Sequence, residues 1–131
     1  AYLDVVEQAG LPALVREVEF VKPDDEKGAV VAKILDENPD IDGIFAGDDT
    51  MAAICLNVMK QRGLSAPDDI KVVGADGAHR TMTFMPDLTT VRQDIDRIGK
   101  LAAQSIIALV NGEKPESNTK LPVELIEGKT A

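Results

Sequence analysis

Two acidic segments of the sequence could bind a small molecule, because carboxylates accept hydrogen bonds from hydroxyl groups. Asp48 and Asp49 follow one short apolar run, and Asp76 follows another, where it lies between Gly74 and Gly77. Glycines beside a carboxylate allow a sharp turn and let a ligand approach the backbone closely. Of the two adjacent acids, we expect Asp49 to cap the next helix, which leaves Asp48 for a ligand. A purely turn-forming role is the alternative for Asp76.

Gln93 is a third polar candidate, since its amide both donates and accepts hydrogen bonds and so suits a sugar hydroxyl. An ordinary polar residue at a strand end is the alternative. His79, the only histidine, has no partner at a metal-ligand spacing, so we expect no metal site and place it in a loop beside the pocket. No nucleophile–base pair and no glycine-rich nucleotide motif occurs, so we predict neither an enzyme with catalytic residues nor a cofactor.

Short apolar runs alternate with amphipathic segments, which predicts an α/β fold with a mostly parallel sheet. The predicted strands are 18–21, 41–46, 70–74, 88–92 and 121–126. The predicted helices are 3–9, 24–37, 48–62 and 94–111, with a loop or broken helix over residues 75–87. Ligands bind beyond the carboxyl ends of parallel strands. The acidic ends of the second and third strands should therefore lie side by side.

Composition limits the possibilities further. The 131 residues allow one domain at most, and their 44% hydrophobic share excludes disorder. A net charge of −9 argues against these residues contacting nucleic-acid phosphates. The apolar stretches are too short to span a membrane, so we expect no membrane partner. The single cysteine, Cys55, fits a reducing cytoplasm and a place in the core. The first residues read as the end of a helix, so we expect the chain to start inside a larger protein.

Five segments together resemble the effector-binding domain of LacI/GalR-type transcription regulators, which have the type I periplasmic-binding-protein fold. They are, in order, residues 43–52, 63–77, 86–93, 98–103 and 121–126. The resemblance implies a parallel-sheet, three-layer α/β/α lobe. It also implies a partial effector-binding domain, in which residues 1–93 form the C-terminal lobe and residues 94–131 form the crossover with the C-terminal helix and strand.

The same resemblance implies a function. A small molecule, expected to be a sugar, would bind in a cleft between two lobes and change the operator affinity of a cytoplasmic repressor. Asp48, Asp76 and Gln93 match ligand-contacting positions of the family. The family commonly has Asn where this chain has Asp48, so we expect a changed choice of ligand, and it often has an aromatic residue at Ala75. The resemblance further implies a homodimer through the C-terminal lobe, near residues 83–86, and operator contacts through an N-terminal domain missing here.

Two other classes share features of the sequence. A periplasmic sugar receptor of a transporter has the same fold, although residues 88–93 and 125–131 resemble the regulators. A receiver-type phosphoacceptor domain also has paired acids, but Lys114-Pro115 follows a helix instead of a strand. The apolar stripe of helix 94–111 would lack its cover without a second lobe. We therefore expect the chain to self-associate, or to fold that helix onto its own sheet, and half a cleft to bind sugar poorly.

Overall fold

In the computed structural model, residues 2–115 and 118–131 are described, and these form five helices and four strands. The elements in chain order are α1 (Tyr2–Gln8), α2 (Asp24–Glu37), β1 (Gly43–Phe45), α3 (Asp49–Gln61), β2 (Lys71–Asp76), α4 (His79–Phe84), β3 (Thr89–Arg92), α5 (Ile95–Val110) and β4 (Glu124–Ile126). None of these helices is both long enough and apolar enough to cross a membrane.

The four strands form one sheet in the order β1-β2-β3-β4. The pairs β1–β2 and β2–β3 are parallel, and β4 joins β3 antiparallel at the edge. This confirms the predicted α/β class with a mostly parallel sheet. β4 is shorter than predicted, and Pro122, which cannot donate to a strand ladder, lies before it.

The core lies between α3, β2 and α2. Helix α3 packs on β2, and α2 packs against α3. The buried side chains include Val31, Leu35, Ala52, Val58, Met59, Val72 and Leu88. Cys55 is buried among them, as predicted, and burial raises the pKa of its thiol to about 11. The thiol is therefore protonated and unreactive near neutral pH.

The predicted strand over residues 18–21 is wrong. Phe20 and Val21 are 83% and 85% exposed, and the Lys22 amide donates to the Glu19 carbonyl in a turn. None of the described strands pairs with this segment. An alternating apolar pattern cannot form a strand without a ladder partner for its backbone. The segment instead contacts α2, where the Lys27 ammonium lies 5.4 Å from the centre of the Phe20 ring.

The predicted helix over residues 94–111 is confirmed as α5. The Asp94 side chain caps it by accepting a hydrogen bond from the Arg97 amide at 3.0 Å. The helix buries none of its side chains, and Ile98 and Ile106 are 42% and 62% exposed. The alternative that this helix folds onto the sheet of its own chain is therefore wrong, whereas self-association remains a prediction.

The C-terminal tail holds the amino-terminal ends of the two central strands. The buried Thr130 hydroxyl donates to the Val72 carbonyl at 2.7 Å and accepts from the Thr89 amide at 3.0 Å. Lys129 adds an ion pair with Asp87 at 2.8 Å. β2 and β3 are thus fixed at one end, and the polar candidates lie at the other.

Candidate functional site

The three predicted ligand contacts lie beyond the carboxyl ends of three adjacent parallel strands. Asp48 is between β1 and α3, Asp76 is the last residue of β2, and Gln93 directly follows β3. β1, β2 and β3 are neighbours in the sheet. The prediction that the acidic strand ends lie side by side is confirmed, because β1 and β2 are paired and the Gly77 amide, next to Asp76, donates to Asp49 Oδ2 at 2.9 Å.

Two hydrogen bonds join Asp76 and Gln93. The Gln93 side-chain Nε2 donates to Asp76 Oδ1 at 2.8 Å, and the Gln93 backbone amide donates to the Asp76 carbonyl at 3.0 Å. The backbone at Asp76 has a φ of +105° and that of Gly77 a φ of +57°. A Cβ on Gly77 would lie 2.7 Å from the Arg92 Cα, so only glycine fits this turn.

The surroundings of Asp76 make ionisation of its carboxyl group less favourable than in water. Partial burial raises the pKa of this carboxyl group, and the negative charges of Asp49 and Asp48 raise it further. The hydrogen bond from Gln93 acts in the opposite direction, because it stabilises the carboxylate. A ligand that donates hydroxyl groups to this carboxylate would offset the same cost.

The assignment of Asp49 as the helix cap is wrong, because Asp48 caps α3. Its extended backbone (φ −150°, ψ 170°) lets its Oδ1 accept from the Met51 amide at 2.7 Å. Asp49 is already helical and only 2% exposed. Its Oδ2 accepts from the Gly77 amide at 2.9 Å, and its Oδ1 accepts from the Thr90 hydroxyl at 2.5 Å.

Sequence reasoning missed this buried connection. Thr90 lies opposite Gly74 in the β2–β3 register, and a Cβ on Gly74 would lie 2.5 Å from Asp49 Oδ1. The glycine therefore makes room for the carboxylate. A hydroxyl residue inside the apolar run 88–92, beside a strand that contains glycine, was the available signal.

The periphery of the site includes an open depression. His79 is exposed and begins α4 instead of lying in a loop. It lines the depression together with Arg92 and Gln93. The Arg92 guanidinium contacts the Glu124 carboxylate at 2.6 Å, which ties β3 to β4 beside the same depression. Among residues 2–115 and 118–131, no group of three His, Cys, Asp or Glu side chains could hold a metal ion.

The structure places the two apolar residues of segment 83–86 differently. Phe84 ends α4 and is 75% exposed. Met85 is half-buried and packs against the core. Only the phenylalanine is available to a neighbouring molecule.

A mostly parallel sheet with polar side chains at its carboxyl edge is typical of ligand-binding α/β domains. A model of the periplasmic binding protein-like domain family matches residues 1–131. The chain belongs to that family, and it is similar to the corresponding part of LacI-family transcription regulators. The resemblance carried by the five sequence segments is thereby confirmed.

The relatives show how much of a longer protein this chain matches. It is 32% identical over 132 residues to the ribose operon repressor of Halalkalibacterium halodurans, covering 98% of this chain and 39% of that protein. A LacI-family transcriptional regulator from Corynebacterium glutamicum has a TM-score of 0.83 at 27% identity, covering 98% of this chain and 38% of its own. A LacI-family regulator from Arthrobacter sp. FB24 in complex with lactose has a TM-score of 0.79 at 27% identity, with 98% and 48% coverage. The chain thus spans about two fifths of the length of that ribose operon repressor.

Proposed function

We propose that this chain forms one side of the effector cleft of a sugar-responsive transcription repressor. The observation that carries the proposal is the Asp76–Gln93 pair at the carboxyl edge of the parallel sheet. A hydroxyl-rich ligand would donate to the Asp76 carboxylate, and the Gln93 amide oxygen would accept from an adjacent hydroxyl. The role is binding, with no catalytic step.

The residue at position 48 refines the expected ligand. One oxygen of Asp48 is engaged in capping α3, and the other would face the ligand as an acceptor. Asp48 and Asp76 together supply acceptors and no donors, so the ligand must bring the hydrogens. Sugars meet that requirement, and the relatives named above include a ribose operon repressor and a lactose complex.

The rest of the repressor follows from the same proposal. Residues 1–93 would be most of the C-terminal lobe, and residues 94–131 would be the crossover and the C-terminal helix and strand. A second lobe and an N-terminal DNA-binding domain would lie elsewhere in a cytoplasmic protein. Two copies would pair through the C-terminal lobe, where Phe84 is exposed. Sugar binding would change operator affinity through a coupling free energy between the two sites. The relatives named above are regulators, which favours this role over a transport receptor.

The test measures sugar binding by the intact protein that carries this sequence. Scanning fluorimetry and calorimetry with D-ribose, sucrose, cellobiose and lactose should find at least one sugar that raises the melting temperature. Asp76→Ala and Gln93→Ala should each weaken binding about tenfold or more, which corresponds to about 1.4 kcal/mol. Asp48→Asn should alter the order of preference among the sugars.

A matched control is Asp69→Ala. Asp69 is an exposed aspartate that also accepts from a backbone amide and a hydroxyl, both of Ser65, in the loop before β2. Its loss should leave sugar affinity unchanged. The proposal fails if no sugar in the panel binds, or if Asp76→Ala binds as well as the wild-type protein.

A further inference from the structure

Asp49 connects the three strands that carry the ligand-contacting residues. It is the first residue of α3, the helix that follows β1, and its carboxylate accepts from Gly77, just after β2, and from Thr90 in β3. The sequence separations are 28 and 41 residues, so this is a tertiary contact and not a local turn.

A carboxylate is a costly group to bury, because it loses its hydration. At 2% exposure Asp49 keeps its charge satisfied through the Gly77 amide, the Thr90 hydroxyl and the positive end of α3. Each carboxylate oxygen of Asp49 accepts one hydrogen bond, and together the two bonds fix the orientation of the side chain. An apolar side chain would fill the space but could not hold the Gly77 amide.

The position of the Gly77 amide affects the orientation of the Asp76 side chain, the proposed ligand contact. It belongs to the peptide bond that joins Asp76 to Gly77, and both residues have positive φ. On the opposite side, the Gln93 backbone amide holds the Asp76 carbonyl. The turn is thus held from α3 by Asp49 and from the end of β3 by Gln93.

We propose that Asp49 is a positioning residue of the ligand site, which holds the Asp76–Gly77 turn so that the Asp76 carboxylate stays beside Gln93. The consequence for ligand binding rests on the proposed function, whereas the effect on the turn does not. Asp49 also sets the charge around Asp76 together with Asp48, while Arg92, the register partner of Asp76, is engaged with the exposed Glu124.

The experiment uses two variants of the ligand-free chain. Asp49→Asn can still accept from Gly77 and can donate to the Thr90 oxygen, so it keeps the shape and removes the charge. NMR titration of the Asp76 carboxyl carbon should then show a lower pKa than in the wild-type chain, with the Gly77 amide still protected from exchange. Asp49→Ala removes the bond as well, and the Gly77 amide should exchange more than tenfold faster.

Asp69→Asn is the control, because it likewise removes one charge from a hydrogen-bonded aspartate, which lies in the loop before β2, at the opposite end of that strand from the turn. It should change neither readout. If Asp49→Ala does not fold, Thr90→Val takes its place, since it removes one donor to Asp49, and Gly77 exchange should again accelerate. An Asp76 titration that is identical in Asp49→Asn and wild type overturns the proposal, as does unchanged Gly77 exchange. No sugar is present, so this outcome is independent of the sugar panel.

Discussion

Asp76 combines a left-handed backbone, partial burial and two nearby negative charges in a single residue. Each of these features raises the free energy of the folded state, and none improves packing. Unfavourable local features of this kind persist where a side chain must be presented in a set orientation. At residue 76 the orientation is fixed by the bonds from Gln93.

Asp76→Asn should stabilise the chain near neutral pH. The pKa of Asp76 is raised in the folded state above its ordinary value of 3.8, so the folded state holds the proton more tightly than the unfolded state. Its ionisation therefore destabilises the fold above the folded pKa, and this penalty disappears as pH falls below the unfolded value. Asparagine keeps the acceptor for Gln93 and has no charge. Thermal unfolding should show a higher melting temperature for the variant at pH 7, with the difference closing near pH ~3.5. A difference that does not change with pH would contradict this.

Gly74→Ala should destabilise the core beside Asp49. The added Cβ would lie 2.5 Å from Asp49 Oδ1 and 3.2 Å from the Leu88 side chain, and both neighbours are buried. We expect a loss of about 1–3 kcal/mol in urea unfolding. Gly43→Ala, in the exposed strand β1, has no atom within 4 Å of its Cβ and should cost nothing. Equal effects of the two substitutions would show that the space at Gly74 is not limiting.

The positions of the three proposed ligand contacts at the sheet edge were predictable, because these residues follow strands that the apolar runs identify. The exchange of roles between Asp48 and Asp49 was not. Which of two adjacent acids caps a helix depends on the backbone angles at its start. It also depends on the donors that approach from Gly77 and Thr90, which are distant in sequence.

At the scale of elements, the helices were predicted more reliably than the strands. A 3.6-residue period is a local property, and α2, α3 and α5 follow it. A strand needs a neighbour, which explains the failure at residues 18–21 and the short β1 and β4. The tail contacts of Thr130 were invisible for the same reason, because they join residues 58 positions apart.

Asp94→Ala should unfold α5 without unfolding the core. The helix buries no side chain, so its own backbone bonds and the Asp94 cap hold it together. Loss of the cap should cost about 0.5–2 kcal/mol. Hydrogen exchange should accelerate in α5 and stay unchanged in α3, which packs on β2. Asp96→Ala, a first-turn acid without a capping bond, is the control and should have a smaller effect. Equal acceleration in both helices would show that they unfold together.

At the scale of the whole molecule, a strong negative charge opposes association and an uncovered apolar face favours it. The net charge is −9, and the exposed face of α5 includes Ile95, Ile98, Ile106 and Leu109. Salt screens the charge repulsion but not the apolar attraction between exposed α5 faces. Association should therefore increase with ionic strength.

The chain should therefore self-associate through α5. Light scattering at increasing concentration should show species larger than the 14.0 kDa monomer, and more of them at higher salt. Ile106→Glu, at a position that is 62% exposed, should shift the chain toward monomer without unfolding it. Gln104→Glu adds the same charge to a polar position of the helix and should leave the association intact. A monomeric wild-type chain at every concentration would refute the prediction.

The hydrogen bond between Gly77 and Asp49 also bears on chemical ageing. Aspartate isomerises when the nitrogen of a following glycine attacks its side-chain carboxyl group and closes a succinimide ring. The chain has two Asp–Gly sequences, at 42–43 and 76–77. The Gly77 nitrogen is buried and its hydrogen is held by Asp49, whereas Gly43 is exposed with open space around it. Isoaspartate should thus accumulate at position 42 on long storage, whereas Asp76 should isomerise more slowly.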